Sequence, residues 1–329
     1  MITGITGQDG SYLADLLLSK GYEVHGIIRP EPEPQAHVQH ILGHIQLHVA
    51  SLSSPENLRD VIRLVQPDEC FHLAAQSFVS YKPDEEVATL ASNVTGAIAL
   101  LVALKEAAPK CRVVFAASSE LFGLATECPQ SETTPFHPRS VYGVSKLAGF
   151  ELFRMYREVH GMFAASAILF NHESPRRGRD FVTRKITLAA AGILAGRATE
   201  LRLGSLEVQR DWGHARDYVE AMWLIAQQQL PQDFVIATGQ THTVREFVDL
   251  AFARCGLDSK EFVISDPSFY RPAESFILKG DITKARHQLG WSPRTSFEDL
   301  VHEMVEADCQ AAGLQLKFPA ARRVSTLES

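Results

Sequence analysis

The spacing of apolar positions changes several times along the chain. Between residues 11 and 20, Leu13, Leu16 and Leu17 fall at i, i+3 and i+4, one face of a helix. Residues 23–28 form an apolar-rich strand candidate, and Ile45, Leu47 and Val49 alternate as strand residues do. Ser54-Pro55 marks a helix start, with serine at the N-cap and proline at the first helical position. Then come a strand at 70–73, a helix over 93–107, a strand at 112–117, a long helix over 140–160 and a strand at 164–169. This rhythm predicts an α/β fold, a parallel sheet covered by helices on both faces. Beyond about residue 170 the pattern loosens. Helices are predicted over 183–195, 218–229 and 244–255, the last opened by the capping box Thr243-x-x-Glu246 and closed by Gly256. Loops rich in Arg, His and Trp separate them. The expected organisation is a first domain over 1–170, a smaller second domain over 171–316 with some segments returning to the first sheet, and a tail at 317–329.

A length of 329 residues suits about two domains, and 45% apolar with 22% charged residues is a globular balance. The net charge of −7 argues against a general nucleic-acid binder but leaves room for a local basic pocket. No apolar run is read as approaching the ~18 residues of a membrane span. No basic segment precedes an apolar stretch at the start, so a cytoplasmic protein is expected. Five scattered cysteines (Cys70, Cys111, Cys128, Cys255, Cys309) fit reduced thiols rather than a disulfide framework.

Gly4-Ile-Thr6-Gly7-Gln8-Asp9-Gly10 lies between the start of the first strand and the Ser11 helix. Glycines there allow a tight turn and close approach of backbone to a pyrophosphate, and the helix N-terminus favours the anion. Glycine triplets alone are weak evidence. Their position at the head of a strand–helix–strand unit, with G-x-x-G-x-x-G spacing, points to a Rossmann-type, doubly wound dinucleotide fold. An NAD site usually carries an acid at the end of the second strand, about 20 residues on. Here that strand ends in Ile27-Ile28-Arg29, so NADP is favoured, with Arg29 facing a 2′-phosphate.

Tyr142 and Lys146 stand four apart on the long helix, on one face. A lysine cation beside a phenol lowers its pKa, so the tyrosine can take a proton from a sugar hydroxyl. Ser118-Ser-Glu120 follows the 112–117 strand, at the strand ends where such sheets bind ligands. Together they form a four-part acid/base set. Other features read more plainly. His37, His40 and His44 lack a completing ligand and are surface residues rather than a metal site. Trp212 and Trp223 are better read as core than as a guanine platform.

Gly4-Ile-Thr-Gly-Gln-Asp-Gly10, Leu73-Ala74-Ala75-Gln-Ser77, Ser118-Ser-Glu120 and Tyr142-Gly-Val-Ser-Lys146 resemble the GDP-mannose 4,6-dehydratase family. So do Asn171-His172-Glu173-Ser-Pro-Arg-Arg177-Gly, Phe181-Val-Thr-Arg-Lys185, Arg210-Asp-Trp-Gly213 and Tyr270-Arg271-Pro-Ala-Glu274. The resemblance runs from Met1 to about Asp308. It implies an extended short-chain dehydrogenase/reductase fold, in which a smaller C-terminal α/β domain binds a GDP-sugar. It also implies bound NADP and a homodimer, with a homotetramer as the larger alternative. Ser118 stands where the family usually has threonine, while Glu120, Tyr142 and Lys146 match directly. By the same resemblance the cofactor is met by Gly4, Thr6, Gly7, Gln8, Asp9, Gly10, Arg29, Ser51, Leu52, Leu73, Ala74, Ala75, Ser77, Tyr142, Lys146, His172 and Arg177. The GDP-sugar falls to Ser77, Asn171, Glu173, Lys185, Arg210, Arg271 and Glu274. Two departures stand out: Ala50-Ser51 replaces the family's Gly-Asp, and Arg29-Pro30 its Arg-Arg. The following Pro/Glu loop is short.

The implied reaction is an internal redox dehydration with no net use of NADP. Three rivals remain on sequence: the same chemistry on GDP-manno-heptose, a keto-sugar reductase, and a non-catalytic NADP-binding module. Glu120 counts against the reductase, and the intact acid/base set against the module.

Overall fold

Short apolar runs from across the chain pair into one seven-stranded, all-parallel sheet. The strands are β1 (Ile2–Thr3), β2 (Val24–Ile28), β3 (Ile45–Val49), β4 (Glu69–His72), β5 (Arg112–Ser118), β6 (Ala164–Leu169) and a seventh at Phe234–Ile236. In the computed structural model, residues 1–30, 36–52, 54–78, 82–269 and 277–316 are described. The order across the sheet is β3-β2-β1-β4-β5-β6 and then the seventh strand, so the winding reverses between β1 and β4. A crevice opens beyond the carboxyl ends of the strands at such a reversal. Every residue of β6 is buried, as expected for a strand covered on both faces.

Five helices flank this sheet: α1 (Gln8–Ser19), α2 (Pro55–Val65), α3 (Pro83–Ala107), α4 (Val141–His160) and, after α5 (Val182–Leu194) of the second unit, α6 (Ala215–Ala226). Local chemistry sets their ends. Ser54 accepts a hydrogen bond from the Asn57 amide with Pro55 at the first helical position. Ser140 caps α4 through the Gly143 amide at 3.0 Å, and Gly161 ends it in the left-handed conformation at φ +64°.

α3 begins ten residues before the apolar pattern predicts. Its first turn carries Pro83, Asp84, Glu85 and Glu86. Residues 87–104 then hold no charged side chain, which corrects the expectation that no such run approaches a membrane span. By length and composition α3 could cross a bilayer; half of that stretch is buried, with Thr89, Asn93, Ala97, Leu100, Leu101 and Leu104 in the core.

The chain divides into two units. The first gathers Met1–His172, Asp211–Thr241 and Phe276–Arg294. One continuous apolar core runs through it, from Met1 and Ile2 to Leu289 and Trp291. Asp211 ties its later segments together, accepting hydrogen bonds from the Thr238 and Gly239 amides, the Thr238 hydroxyl and the Gly280 amide. The second unit gathers Glu173–Arg210, His242–Ser275 and Thr295–Ser329. Helices α5, α7 (Val244–Arg254) and Phe297–Ala311 pack together there, beside the paired strands Leu201–Leu203 and Val263–Ser265. Thr243 and Glu246 form the capping box of α7.

Candidate active site

The turn from β1 into α1 is shaped for a phosphate group. Gly4 sits at φ +74°, and a Cβ there would lie 2.9 Å from the Ala74 backbone. A Cβ on Gly10 would collide with the Gly4 carbonyl and lie 2.6 Å from Ile5 Cα. The chain therefore turns tightly, and α1 starts with no side chain capping its amino end. That is the cradle a dinucleotide pyrophosphate needs. The Leu73–Ser77 segment lies at the same reversal point. Thr3 Oγ1 accepts from the Ala74 amide at 3.3 Å and lies 2.8 Å from His72 Nδ1, so β1 fixes the exit of β4. Burial drives the His72 imidazole down to about 3. Arg29 is exposed at the end of β2, a strand whose own residues include no acid; Ser51 and Leu52 are half-buried beyond β3. The residues present fit a nicotinamide dinucleotide.

The elements that carry the predicted acid/base residues meet at the end of β5. Ser118 accepts from the Glu120 amide at 3.3 Å, which turns the chain off the strand. The amino end of α4 packs directly on that turn: a Cβ on Gly143 would lie 2.7 Å from the Glu120 carbonyl. Gly149, lower on the helix, lets α4 settle on the Phe115 ring, 2.5 Å from where a Cβ would stand. Close approach at these two glycines seats α4, the helix of Tyr142 and Lys146, against β5 and the Ser118–Glu120 turn. Tyr142 and Glu120 are half-buried. Lys146 is buried, donates to the Ala116 carbonyl at 2.7 Å, and its Nζ lies 5.8 Å from the centre of the Tyr142 ring.

Burial lowers the Lys146 ammonium to about 8, and the Asp9 carboxylate opposes that fall. The lysine is a cation at neutral pH and loses its charge as pH rises through about 8. A basic limb in kcat/KM with its midpoint near that pH is expected, because this parameter reports the free enzyme. A profile flat to pH 10 would contradict it.

Asn93 was not legible as a functional residue. Its side chain accepts from the Gln76 amide at 2.8 Å and donates to Ser145 Oγ at 2.9 Å, while Ser145 donates to the Tyr142 carbonyl at 2.8 Å. It joins the β4 exit loop to the Tyr142 helix. The available signal was one amide in an otherwise apolar helical stretch.

His172, just after β6, reaches back to α1. Its Nε2 lies 2.9 Å from Asp9 Oδ2, and Gln8 donates to both Asp9 and the His172 carbonyl. Asn171 is half-buried beside it. Within the second unit, Glu173 is buried, accepts from Thr183 at 2.6 Å and pairs with Arg177 at 3.0 Å. Arg177 also lies over the Phe181 ring, 3.6 Å from its centre. Lys185 is exposed on α5. Arg210 closes a short ladder opposite His242 and donates to the Gln209 carbonyl. Arg184, beside Lys185, is structural: it pairs with the buried Asp308 at 2.7 Å and donates to the Pro175 carbonyl. Arg271 and Glu274 lie outside the described residues. Trp212 is buried, and Trp223 donates to the Tyr22 hydroxyl with Lys20 over its ring, both packing roles. His40 pairs with Asp15 at 2.7 Å.

Comparison with known proteins adds a family. The profile described as GDP-mannose 4,6 dehydratase matches residues 1–304. GDP-mannose 4,6 dehydratase 2 of Arabidopsis thaliana is 48% identical, covering 95% of this chain and 87% of that protein. The Homo sapiens GDP-mannose 4,6 dehydratase is 46% identical, covering 94% and 91%. Among solved structures, a UDP-glucose 4-epimerase from Thermotoga maritima shares the fold, with a TM-score of 0.83 at 24% identity over 94% of this chain and 98% of that one.

Proposed function

The chain belongs to the GDP-mannose 4,6-dehydratase family, and from that premise we propose that it converts GDP-D-mannose to GDP-4-keto-6-deoxy-D-mannose with a bound NADP. The observation that supports the reading is the close packing of Gly143 on the Glu120 backbone carbonyl, by which α4, the helix of Tyr142 and Lys146, abuts the turn of Ser118 and Glu120. A plain oxidoreductase of this fold needs the pair and not the carboxylate. Elimination of water needs a second base.

The nicotinamide, when bound, supplies hydride transfer. The rest is the work of side chains. Tyr142 takes the proton of the C4 hydroxyl, and Lys146 holds the phenolate as a neighbouring cation. The resulting C4 ketone acidifies C5–H, and Glu120 removes that proton. Hydroxide leaving C6 needs a proton, which Glu120 delivers with Ser118 beside it. The bond left between C5 and C6 would be saturated by return of the hydride to C6 and by a solvent proton at C5, while Tyr142 releases its proton to solvent. By the family resemblance, Ser77, Asn171, Glu173, Lys185, Arg210, Arg271 and Glu274 are the proposed contacts of the nucleotide sugar, and Arg177 of the cofactor; guanidinium and ammonium groups suit a diphosphate. Glu173 also pairs with Arg177.

The test is incubation with GDP-mannose and, separately, with a GDP-manno-heptose, the product weighed by mass spectrometry. Loss of one water from GDP-mannose supports the proposal. Loss only from the heptose, or from neither, rejects it.

NADP rather than NAD is inferred from Arg29 and the missing acid at the end of β2. NADP⁺ is expected to raise the melting temperature more than NAD⁺ at equal concentration, and the reverse order would reject the preference. A homodimer through α3 and α4 is also proposed. Val87 on α3 and Val144, Met155 and Val159 on α4 are exposed apolar side chains, with Val87 at 70% and Val159 at 67%. Light scattering at micromolar concentration is expected to give twice the chain mass, and a monomer would refute the pairing.

A further inference from the structure

Asp9 occupies the first turn of α1, where the glycine cradle readies the helix for an anion. A bare carboxylate there repels a diphosphate. The surrounding hydrogen bonds answer this. His172 Nδ1 lies 2.7 Å from the Phe170 carbonyl oxygen, which can only accept, so Nδ1 carries a hydrogen. In a neutral ring Nε2 would then turn a lone pair toward Asp9 Oδ2, 2.9 Å away. Two acceptors do not hold that distance, so the contact contains a proton. Carboxylates ordinarily titrate near ~3.9 and imidazoles near ~6.5, which leaves that proton on the ring. Gln8 Nε2 donates to Asp9 Oδ1 and to the His172 carbonyl, both at 3.1 Å, and closes the arrangement. The Tyr218 ring stacks on His172 at 4.8 Å without adding charge, and the Lys146 ammonium is another cation acting on Asp9.

We propose that Gln8, Asp9 and His172 form a proton-holding clamp, which neutralises the carboxylate at the helix start and fixes the dinucleotide cradle to the end of β6. Asp9 and His172 are positioning residues in this arrangement and act on dinucleotide binding as one unit. The inference rests on the NADP-binding reading above.

The clamp makes an unusual prediction for variants. His172→Gln removes the cation and leaves Asp9 facing the diphosphate, so NADP⁺ binding weakens by roughly tenfold to a hundredfold, the worth of a hydrogen bond to a charged group. Asp9→Asn in the same chain removes the exposed charge, so the double variant binds more tightly than His172→Gln alone. The readout is the NADP⁺ dissociation constant from tryptophan fluorescence of the cofactor-free protein. Losses that simply add would overturn the clamp. A second measurement needs no bound cofactor: nitrogen resonances of ¹⁵N-histidine-labelled parent protein at neutral pH. His172 is assigned by its absence in His172→Gln or, should that variant not fold, by its contacts to the Tyr218 ring. Both nitrogens are expected in the protonated range; an unprotonated Nε2 overturns the clamp. Failure of the parent to bind NADP⁺ rejects the dinucleotide reading instead, and the resonances still decide the clamp.

Discussion

Replacing Tyr142 with phenylalanine is expected to abolish turnover of GDP-mannose, by at least the roughly 10²–10⁴-fold that a positioned general base contributes. The substitution removes one oxygen and keeps the ring whose centre lies 5.8 Å from the Lys146 ammonium, so the packing of α4 on the Ser118–Glu120 turn survives. The loss reaches beyond the first step. Without a ketone at C4 the hydrogen at C5 is not acidic, so exchange of C5–H with solvent disappears as well. Product by mass spectrometry and C5 exchange by NMR in deuterated buffer check both, beside a dinucleotide dissociation constant that stays near the parent's. Exchange at the parent rate in Tyr142→Phe would show that another group takes the C4 proton.

Glu120→Gln separates the second half of the reaction from the first. The amide keeps the shape and the backbone contacts of the turn, including the amide donated to Ser118, and loses only the base. The ketone should still form while removal of the C5 proton falls by roughly 10²–10⁴-fold, and dehydration with it. The informative quantity is deuterium incorporation at C5 under single-turnover conditions. Near-parent incorporation and water loss would remove Glu120 from the mechanism.

The two halves of the chain differ in how much their residue pattern revealed. In the first half most sheet strands are buried apolar runs, and Ser54 and Ser140 mark helix starts that the structure contains; in the second half the Thr243–Glu246 box does the same. Boundaries shifted where solvent took over. The first turns of α3 are acidic and largely exposed, so no apolar period announces them; Pro83 followed by three acids was the only cue. Helix Phe297–Ala311 went unread although Ser296 caps it and Leu300, Val301, Met304 and Val305 form its buried face. The seventh strand, Phe234–Ile236, is three residues long, too short for any periodicity, yet it pairs with β6 in the main sheet. Legibility of the site follows a similar rule. Groups that carry charge or a hydroxyl at strand ends stood out, whereas the connectors did not. Asn93 and the hydrogen-bonding of Asp9 to His172 span 52 and 163 positions of chain, and only the folded sheet brings such partners together. The glycine contacts at Gly143 and Gly149 are likewise invisible until α4 lies on β5.

In an internal redox dehydration the hydrogen at C4 stays on the same sugar ring, so the fate of a label at C4 is decisive. GDP-mannose carrying deuterium at C4 is turned over in ordinary water, and the product is examined by NMR and mass spectrometry. The C4 deuterium is expected to reappear at C6 of the 4-keto-6-deoxy sugar, with solvent hydrogen at C5. Release of the label to solvent, or a product oxidised at C4 that keeps its C6 hydroxyl, would contradict it.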